Sequence, residues 1–520
     1  MRRAVLALLL VAGVALGGSA AAGTFGGGRA AAAAHATARP DVVFILTDDL
    51  SWNLIDGRIA PHVMQLERRG ETFDHYFVAD SLCCPSRATI FTGLFPHDSG
   101  VVTNFPPFGG FEEFQARHLA RRTFAVAAQR RGYRTSLLGK YLNGYGDRDM
   151  AAGRAPIPPG WTDWHVSNNT GYREFDYLLD ENGRVNFYGG PTGACGVTGT
   201  PDNYGVDVLN ARARAFIARS GRRPFLLEVA TFAPHKPSTP APRDGCDFPG
   251  LRQPRDSSFD TGNTDPPGWL GHRRPLTRRE IRTLDKTYRK RARSVEAVDK
   301  LLADVEATLA ARHLLDRTYI VFSSDNGYHM GQHRLMRGKQ TAFETDIRVP
   351  LIVAGPGVPQ GRRVSRVVQN VDLAPTFERI AGITPARSVD GHSLLPLLHP
   401  AGPPVRWRTV ALVEHHGPDL NRSDPDYETG RRGGNPTTYQ AIRISARRLP
   451  AFRGPVEALY VEYRDGAHER EYYDLRRDPF ERHNAWHRLS RAQRRELHRV
   501  LARLRRCHGA RACWAAGLPR

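Results

Sequence analysis

Four short strand-like segments in this chain each end in a polar cluster, and that repeated pattern restricts the fold more than any other feature. Asp41–Leu46 (DVVFIL) runs into Thr47-Asp48-Asp49, and Tyr133–Leu138 into Gly139-Lys140. Phe225–Phe232 runs into Ala233-Pro234-His235, and Thr318–Phe322 is followed by Ser324-Asp325-Asn326-Gly327. Short runs of this kind read as buried parallel strands. Val349–Ala354, ending at Gly355-Pro356-Gly357, reads as a further strand. Helical segments are expected at Pro61–Arg69, Leu119–Arg131 (closed by Gly132) and Leu284 to about Leu314. Strands alternating with helices imply an α/β fold with a large, mostly parallel sheet flanked by helices. In such sheets ligands bind beyond the carboxyl ends of the strands, which is where all four polar clusters fall.

Residues 83–93 read Cys83-Cys84-Pro85-Ser86-Arg87-Ala88-Thr89-Ile90-Phe91-Thr92-Gly93. Pro85 suits a first helical turn, where its missing N–H costs nothing, and Gly93 suits a helix stop. Cys83 therefore stands at a helix N-terminus, where free N–H groups and the helix dipole favour an anion. Arg87, one turn in, adds a fixed cation. A structural thiol pair or half of a disulfide is the plainer reading of the same residues.

Length and composition fit a large domain followed by a smaller one. Met1-Arg2-Arg3, the apolar run Ala4–Leu16 and Ser19-Ala20-Ala21-Ala22 together read as a signal peptide over 1–22, which implies export to an extracellular or periplasmic compartment. Residues 23–39 are expected to form a disordered leader. A large N-terminal domain is expected over 40–398. A polar, Pro-rich stretch near His399–Arg408 marks a boundary, followed by a C-terminal subdomain over 408–520. There, Tyr439–Ser445, Leu459–Tyr463 and Glu471–Leu475 read as antiparallel strands and Ser490 to about Arg506 as a helix, giving a small α+β unit. No later segment is apolar enough to span a membrane. Export permits disulfides. Of the six cysteines, Cys507 and Cys513 form one natural pair and Cys195 and Cys246 another, and spacing leaves the connectivity open. The net charge of +21 favours anionic partners such as sulfated polysaccharides. It comes almost wholly from 68 Arg against six Lys, a bias that genome composition also produces. Nothing in the chain points to nucleic acid.

Asp48-Asp49 and Asp325-Asn326 supply three carboxylates and one amide oxygen at two strand ends. Hard oxygen donors suit Ca²⁺, with Mg²⁺ as the alternative. Either pair alone reads equally well as a solvated turn, and Asn326-Gly327 as a hairpin turn.

Together with Cys83, these residues resemble the sulfatase family of the alkaline-phosphatase-like superfamily. The branch that fits is the one containing N-acetylglucosamine-6-sulfatase and the extracellular heparan endosulfatases. The matching stretches are LCCPSRATIFTG at Leu82–Gly93, GKYLNGY at Gly139–Tyr145, IPPGW at Ile157–Trp161, APH at Ala233–His235 and DNGYHMGQ at Asp325–Gln332. Further along come Gly338-Lys339, DIRVP at Asp346–Pro350 and NVDLAP at Asn370–Pro375. The resemblance implies that Cys83 is oxidised to formylglycine by a maturation enzyme and supplies the nucleophile. It implies that Asp48, Asp49, Asp325 and Asn326 hold the cation, with residue 83 completing the set. Arg87 would hold the aldehyde hydrate, Lys140 and Lys339 would contact the sulfate, and His235 would protonate the leaving alcohol. His329 is expected beside the metal residues without ligating. Two of only six lysines fall on the family's sulfate positions in a chain that otherwise prefers Arg, and the two cations are not interchangeable at a tight site. One departure is Leu142, where many sulfatases carry His two residues after the lysine; Asn143 follows it.

The reading is a secreted sulfate-ester hydrolase acting on a sulfated sugar or aryl ester. The alternatives are a phosphodiesterase or phosphonate monoester hydrolase on the same fold, or a catalytically silent binder of anionic polysaccharide. The polar segment Gly417–Thr438 receives no role.

Overall fold

The structure is a computed structural model that describes residues 39–190, 203–271, 273–400, 405–427, 433–464 and 467–518. The expected signal peptide and the expected leader up to residue 38 lie outside the described residues.

The buried apolar runs do form strands. β1 (Asp41–Thr47), β2 (Glu71–Phe73), β3 (Arg134–Lys140), β4 (Asp163–Ser167), β5 (Tyr177–Glu181), β6 (Arg184–Tyr188), β7 (Phe225–Ala230), β8 (Thr318–Ser324), β9 (Leu351–Ala354) and β10 (Arg362–Val364) make one ten-stranded sheet. Its order is β10-β2-β9-β8-β1-β7-β3-β4-β5-β6. The four strands singled out in the sequence are its contiguous centre, β8-β1-β7-β3, all parallel, with Val43 of β1 registered between Ile320 and Leu227. Every residue of β1, β7 and β8 is buried, as expected of strands covered on both faces. Alternate side chains feed two cores: Val42, Phe44 and Leu46 enter one, Val43 and Ile45 the other.

Helices α1 (Pro61–Arg69), α3 (Gly205–Ala218) and α4 (Arg278–Ala311) cover the second core through Val63, Phe216, Val298 and Leu302. Helix α2 (Cys83–Thr92) lies on the opposite face, where Cys84, Ala88 and Phe91 join the first core. All ten of its residues are buried. Gly93 ends it at φ 68° and donates its N–H to Thr89 O, the left-handed stop that glycine tolerates best.

One helix differs from expectation, and one strand takes a direction that the sequence left open. Leu119–Arg131 is a 3₁₀ turn, Leu119–Arg122, and a separate helix, Phe124–Arg130. Thr123 restarts the helix by accepting the Val126 N–H on its side-chain oxygen. The Val349–Ala354 strand exists as β9, but it runs antiparallel to β8. A parallel return needs a crossover to the far edge of the sheet, usually a helix. Between β8 and β9 the chain makes only loops, two-residue strands and the short helix Glu344–Ile347, so it re-enters from the edge it left.

A second sheet of four antiparallel strands follows: β11 (Val410–His415), β12 (Tyr439–Ala446), β13 (Val456–Tyr463) and β14 (Arg470–Asp474). Helix α5 (Arg491–Leu504) begins in a Ser490/Gln493 capping box and packs on this sheet with α6 (Gly509–Ala516). Cys507 and Cys513 form a disulfide. Cys246 is also disulfide-bonded; Cys195, the partner its position suggests, lies outside the described residues.

Candidate active site

The site is assembled where β8, β1, β7 and β3 end. β1 delivers Asp48 and Asp49, β3 ends on Lys140, the turn after β7 carries His235, and β8 leads into Asp325 and Asn326. Helix α2 adds Cys83 and Arg87 from the side, and Lys339 comes from a loop after β8. All nine residues singled out in the sequence are buried and lie in one network.

Cys83 Sγ is the hub. It lies 3.2 Å from Asp48 Oδ1 and accepts from Lys339 Nζ at 2.8 Å. Lys140 Nζ donates to Asp48 Oδ2 at 2.6 Å, and Lys339 Nζ donates to Asp49 Oδ1 at 2.5 Å. Arg87 Nε donates to Asp325 Oδ2 at 2.8 Å and its Nη1 to the Lys140 carbonyl at 3.0 Å. Its Nη2 is buried without a hydrogen-bond partner. Asn326 Nδ2 donates to Asp49 Oδ1 at 2.7 Å. Asp49 sits at φ 66°, a left-handed conformation unusual outside glycine and the kind of backbone strain that gathers at functional sites. Arg291 of α4 steadies this end by donating to the carbonyl oxygens of Asp49 and Pro234.

Three buried carboxylates thus face three buried cations. Burial disfavours the Asp325 charge, but Arg87, Lys140 and Lys339 hold its carboxyl below the usual range. Burial likewise opposes the lysine charges. Asp48 beside Lys140, and Asp426 with Asp49 beside Lys339, outweigh it and hold both ammoniums well above the ordinary range. Burial and then Asp325, Asp426 and Asp48 push the Cys83 thiol far up. An unmodified thiol at this position resists ionisation, which weakens it as a nucleophile.

A divalent cation fits the donor set. Asp48, Asp49, Asp325 and residue 83 bring one ligand atom each within 4.8 Å of one another. Asp49 Oδ2 and Asn326 Oδ1 are buried acceptors with no hydrogen-bond partner. Hard oxygens in excess of nearby donors are what Ca²⁺ or Mg²⁺ takes. His329 stands apart from this set: Nδ1 contacts Asp346 at 2.9 Å and Nε2 the Gly433 carbonyl at 3.1 Å.

His235 turns Nδ1 to the Lys236 carbonyl at 2.7 Å and presents Nε2 to the cluster, 3.6 Å from Asp49 Oδ2. Tyr172 packs against it with ring centroids 4.3 Å apart, and its ring also meets Lys140 Nζ at 4.9 Å. Asn143 Nδ2 donates to the Tyr172 hydroxyl, so the residue after the Leu142 departure supports the tyrosine.

Sequence reasoning missed Asp426 and Tyr172. Asp426 lies in the segment that received no role, yet its Oδ1 contacts His235 Nε2 at 2.7 Å and Lys339 Nζ at 2.8 Å. The only local signal is a pair of acidic residues, Asp424 and Asp426, flanking a proline.

A sulfatase family model matches residues 40–383. Human N-acetylglucosamine-6-sulfatase is 36% identical over 405 residues, covering 75% of this chain and 70% of the relative. A solved structure described as a complex with its substrate D-glucosamine-2-N,6-O-disulfate superposes with a TM-score of 0.72 at 22% identity, covering 89% of this chain and 97% of the other. A phosphonate monoester hydrolase of Agrobacterium radiobacter superposes with a TM-score of 0.64, also at 22% identity, covering 88% and 93%. The two superpositions establish the shared fold. The family match over the sheet domain, joined to the close relative, establishes more: this chain belongs to the sulfatase family and is a sulfuric ester hydrolase.

Proposed function

We propose that the protein releases sulfate from a sulfated sugar, with N-acetylglucosamine 6-sulfate as the first candidate because the human relative is named for it. The observation that carries this reading is the placement of residue 83. It stands at the first turn of a buried helix, hydrogen-bonded to a carboxylate of the metal set and to Lys339.

On this reading Cys83 would be matured to formylglycine, whose hydrate would supply the nucleophilic oxygen for sulfate release. Asp48, Asp49, Asp325 and Asn326 hold a divalent cation, Ca²⁺ or Mg²⁺, which supplies Lewis-acid polarisation of the sulfate oxygens and of the nucleophile. The remaining work falls to side chains that are already in place. Lys140 and Lys339 border residue 83 and stabilise charge that develops on the sulfate. Arg87, fixed by Asp325 and the Lys140 carbonyl, has Nη2 left to donate to the group at position 83. His235 delivers a proton from Nε2 to the departing alcohol. Residues 1–22 direct export.

The direct test is mass spectrometry of tryptic peptide 70–87, which holds both Cys83 and Cys84. An aldehyde is expected on Cys83 alone, and Cys83→Ala is expected to lose nearly all turnover while remaining folded. An aldehyde on Cys84, or full activity with an unmodified Cys83, overturns the assignment. Chelation is expected to abolish activity and Ca²⁺ or Mg²⁺ to restore it; metal-free protein that retains full activity excludes the cation. Faster turnover of an aryl phosphate diester than of an aryl sulfate would favour the phosphoryl alternative.

A further inference from the structure

The cations of the site cluster around residue 83, whereas the side next to His235 is acidic. Two carboxylates stand there, and both come from the segment joining β11 to β12. Asp426 is 3% exposed and Asp424 7%. Their hold is elaborate. Asp424 Oδ1 accepts the Asp426 backbone N–H at 2.8 Å. Asn104 Nδ2 donates to Asp426 Oδ2 at 2.8 Å and to Asp424 Oδ1 at 3.2 Å. Asn104 Oδ1 in turn accepts the Cys84 N–H at 2.9 Å, which locks the group to the start of α2. Lys236, the residue after His235, donates to the Tyr427 carbonyl at 3.3 Å.

Asp426 therefore has one oxygen fixed from behind and one directed inward. Oδ1 meets His235 Nε2 at 2.7 Å and Lys339 Nζ at 2.8 Å, so it is one hydrogen bond from the nitrogen assigned to the leaving oxygen. When that nitrogen turns to the leaving oxygen, Oδ1 keeps Lys339 but loses one of its two donors, and that side faces whatever the alcohol carries beside the ester. A buried carboxylate oxygen that loses a hydrogen bond pays for it unless the bond is replaced, so a substrate that supplies an O–H there gains over one that supplies nothing. A second anion there meets two carboxylates.

We propose that Asp426, oriented by Asn104 and Asp424, forms a leaving-group subsite that accepts a hydrogen bond from a free hydroxyl flanking the scissile sulfate of a sugar and rejects a substrate that carries an anion at that position. The proposal rests on the sulfate-ester reading above. It makes the substrate class a polyhydroxylated, singly sulfated unit around the ester, rather than an aryl sulfate or a vicinal disulfate.

The test uses mature, Ca²⁺-loaded full-length protein, wild type and Asp426→Asn. The substrates are N-acetylglucosamine 6-sulfate, its 3-deoxy and 4-deoxy analogues, and p-nitrophenyl sulfate. In the wild type, one deoxy analogue is expected to lose at least tenfold in kcat/KM against the parent, the scale of a hydrogen bond to a charged acceptor. In Asp426→Asn that loss is expected to shrink below threefold, and the ratio of sugar to aryl kcat/KM to fall at least tenfold. Asp424→Asn, which loosens the turn but leaves the Asp426 carboxylate, is expected to give a smaller change in the same direction if Asp426→Asn folds poorly. An equal fall for sugar and aryl esters overturns the proposal, because Asp426 then only positions His235 and Lys339. Tighter binding of both esters overturns it as well, because the carboxylate then merely occupies the sulfate pocket. Turnover of the aryl ester alone leaves no sugar to read and also overturns it. Absence of sulfate release from every ester by the wild type sinks the underlying reading, a result distinct from the other three.

Discussion

At the scale of single residues, the lysines give the sharpest contrast. Lys339 is buried between Asp49, Asp426 and Cys83 Sγ, whereas Lys286 lies exposed on α4. Lys339→Arg keeps the charge but replaces a point donor with a planar fork. It is expected to lower kcat by about a hundredfold, the scale of losing one preorganised oxyanion contact, while Lys286→Arg leaves kcat within about twofold, as surface changes generally do. Equal kinetics in the two folded variants would remove Lys339 from the site. The convergence of the nine candidate residues was legible because eight sit in or near short local patterns at a strand end or helix start, while Lys339, in a loop, was reached through the Gly338-Lys339 match. Asp426 was not, because its role depends on a segment nearly at the end of the chain folding back onto loops from the first half. No local pattern encodes that contact. Tyr172 was hidden for a related reason, since an aromatic beside a histidine and a lysine is visible only once three separate segments meet.

At the scale of elements, the parallel centre of the sheet could be read from sequence because β1 and β8 are mainly apolar, β7 is apolar but for Glu228, and β3 closes on Leu137-Leu138 before its functional lysine. The strands that escaped are less apolar. β5 and β6 form a hairpin that carries Asp180, Glu181, Arg184 and Asn186, although Asn182-Gly183, both at positive φ, is the turn signature that marks it. β3 shows how an element aims a functional group. Gly139 has φ 98°, and a Cβ there would lie 2.0 Å from the Ala230 carbonyl oxygen of β7. Only glycine lets the strand pass this close to its neighbour and still present Lys140 to Asp48. Gly139→Ala is expected to lower the thermal midpoint and to cut kcat in whatever fraction folds, because the backbone must shift at the residue before Lys140. A variant with wild-type melting and wild-type kinetics would show that the strand absorbs the methyl group.

At the scale of the whole molecule, the tail is tied to the sheet domain by charge. His97, in the short helix Pro96–Ser99, contacts Glu414 of β11 at 2.7 Å through Nδ1 and the Cys507 carbonyl at 2.9 Å through Nε2. Burial alone would lower its pKa, but the Glu414 hydrogen bond and charge and the Cys507 carbonyl outweigh it and raise the imidazole to about 9. The folded value exceeds the ordinary 6.5, so the protonated form stabilises the fold fully below pH 6.5 and that contribution disappears as pH rises through about 9. The melting temperature of the wild type should therefore exceed that of His97→Ala by most below pH 6.5, with the gap closing toward pH 9.5. A gap that stays constant across that range would show that His97 acts only by packing.

The burial of α2 has a consequence for how active protein comes to exist. Residue 83 is 0% exposed, and no face of its helix meets solvent. If residue 83 is matured as proposed, the enzyme that oxidises it must reach it while the polypeptide is still open, and maturation and folding then compete for the same interval. Specific activity then reflects the history of each molecule rather than its present surroundings. Slow synthesis alongside the maturation enzyme should raise the active fraction, whereas adding that enzyme to folded, unmodified protein should not. On that reading, a molecule that closes too early is well folded and permanently without its nucleophile.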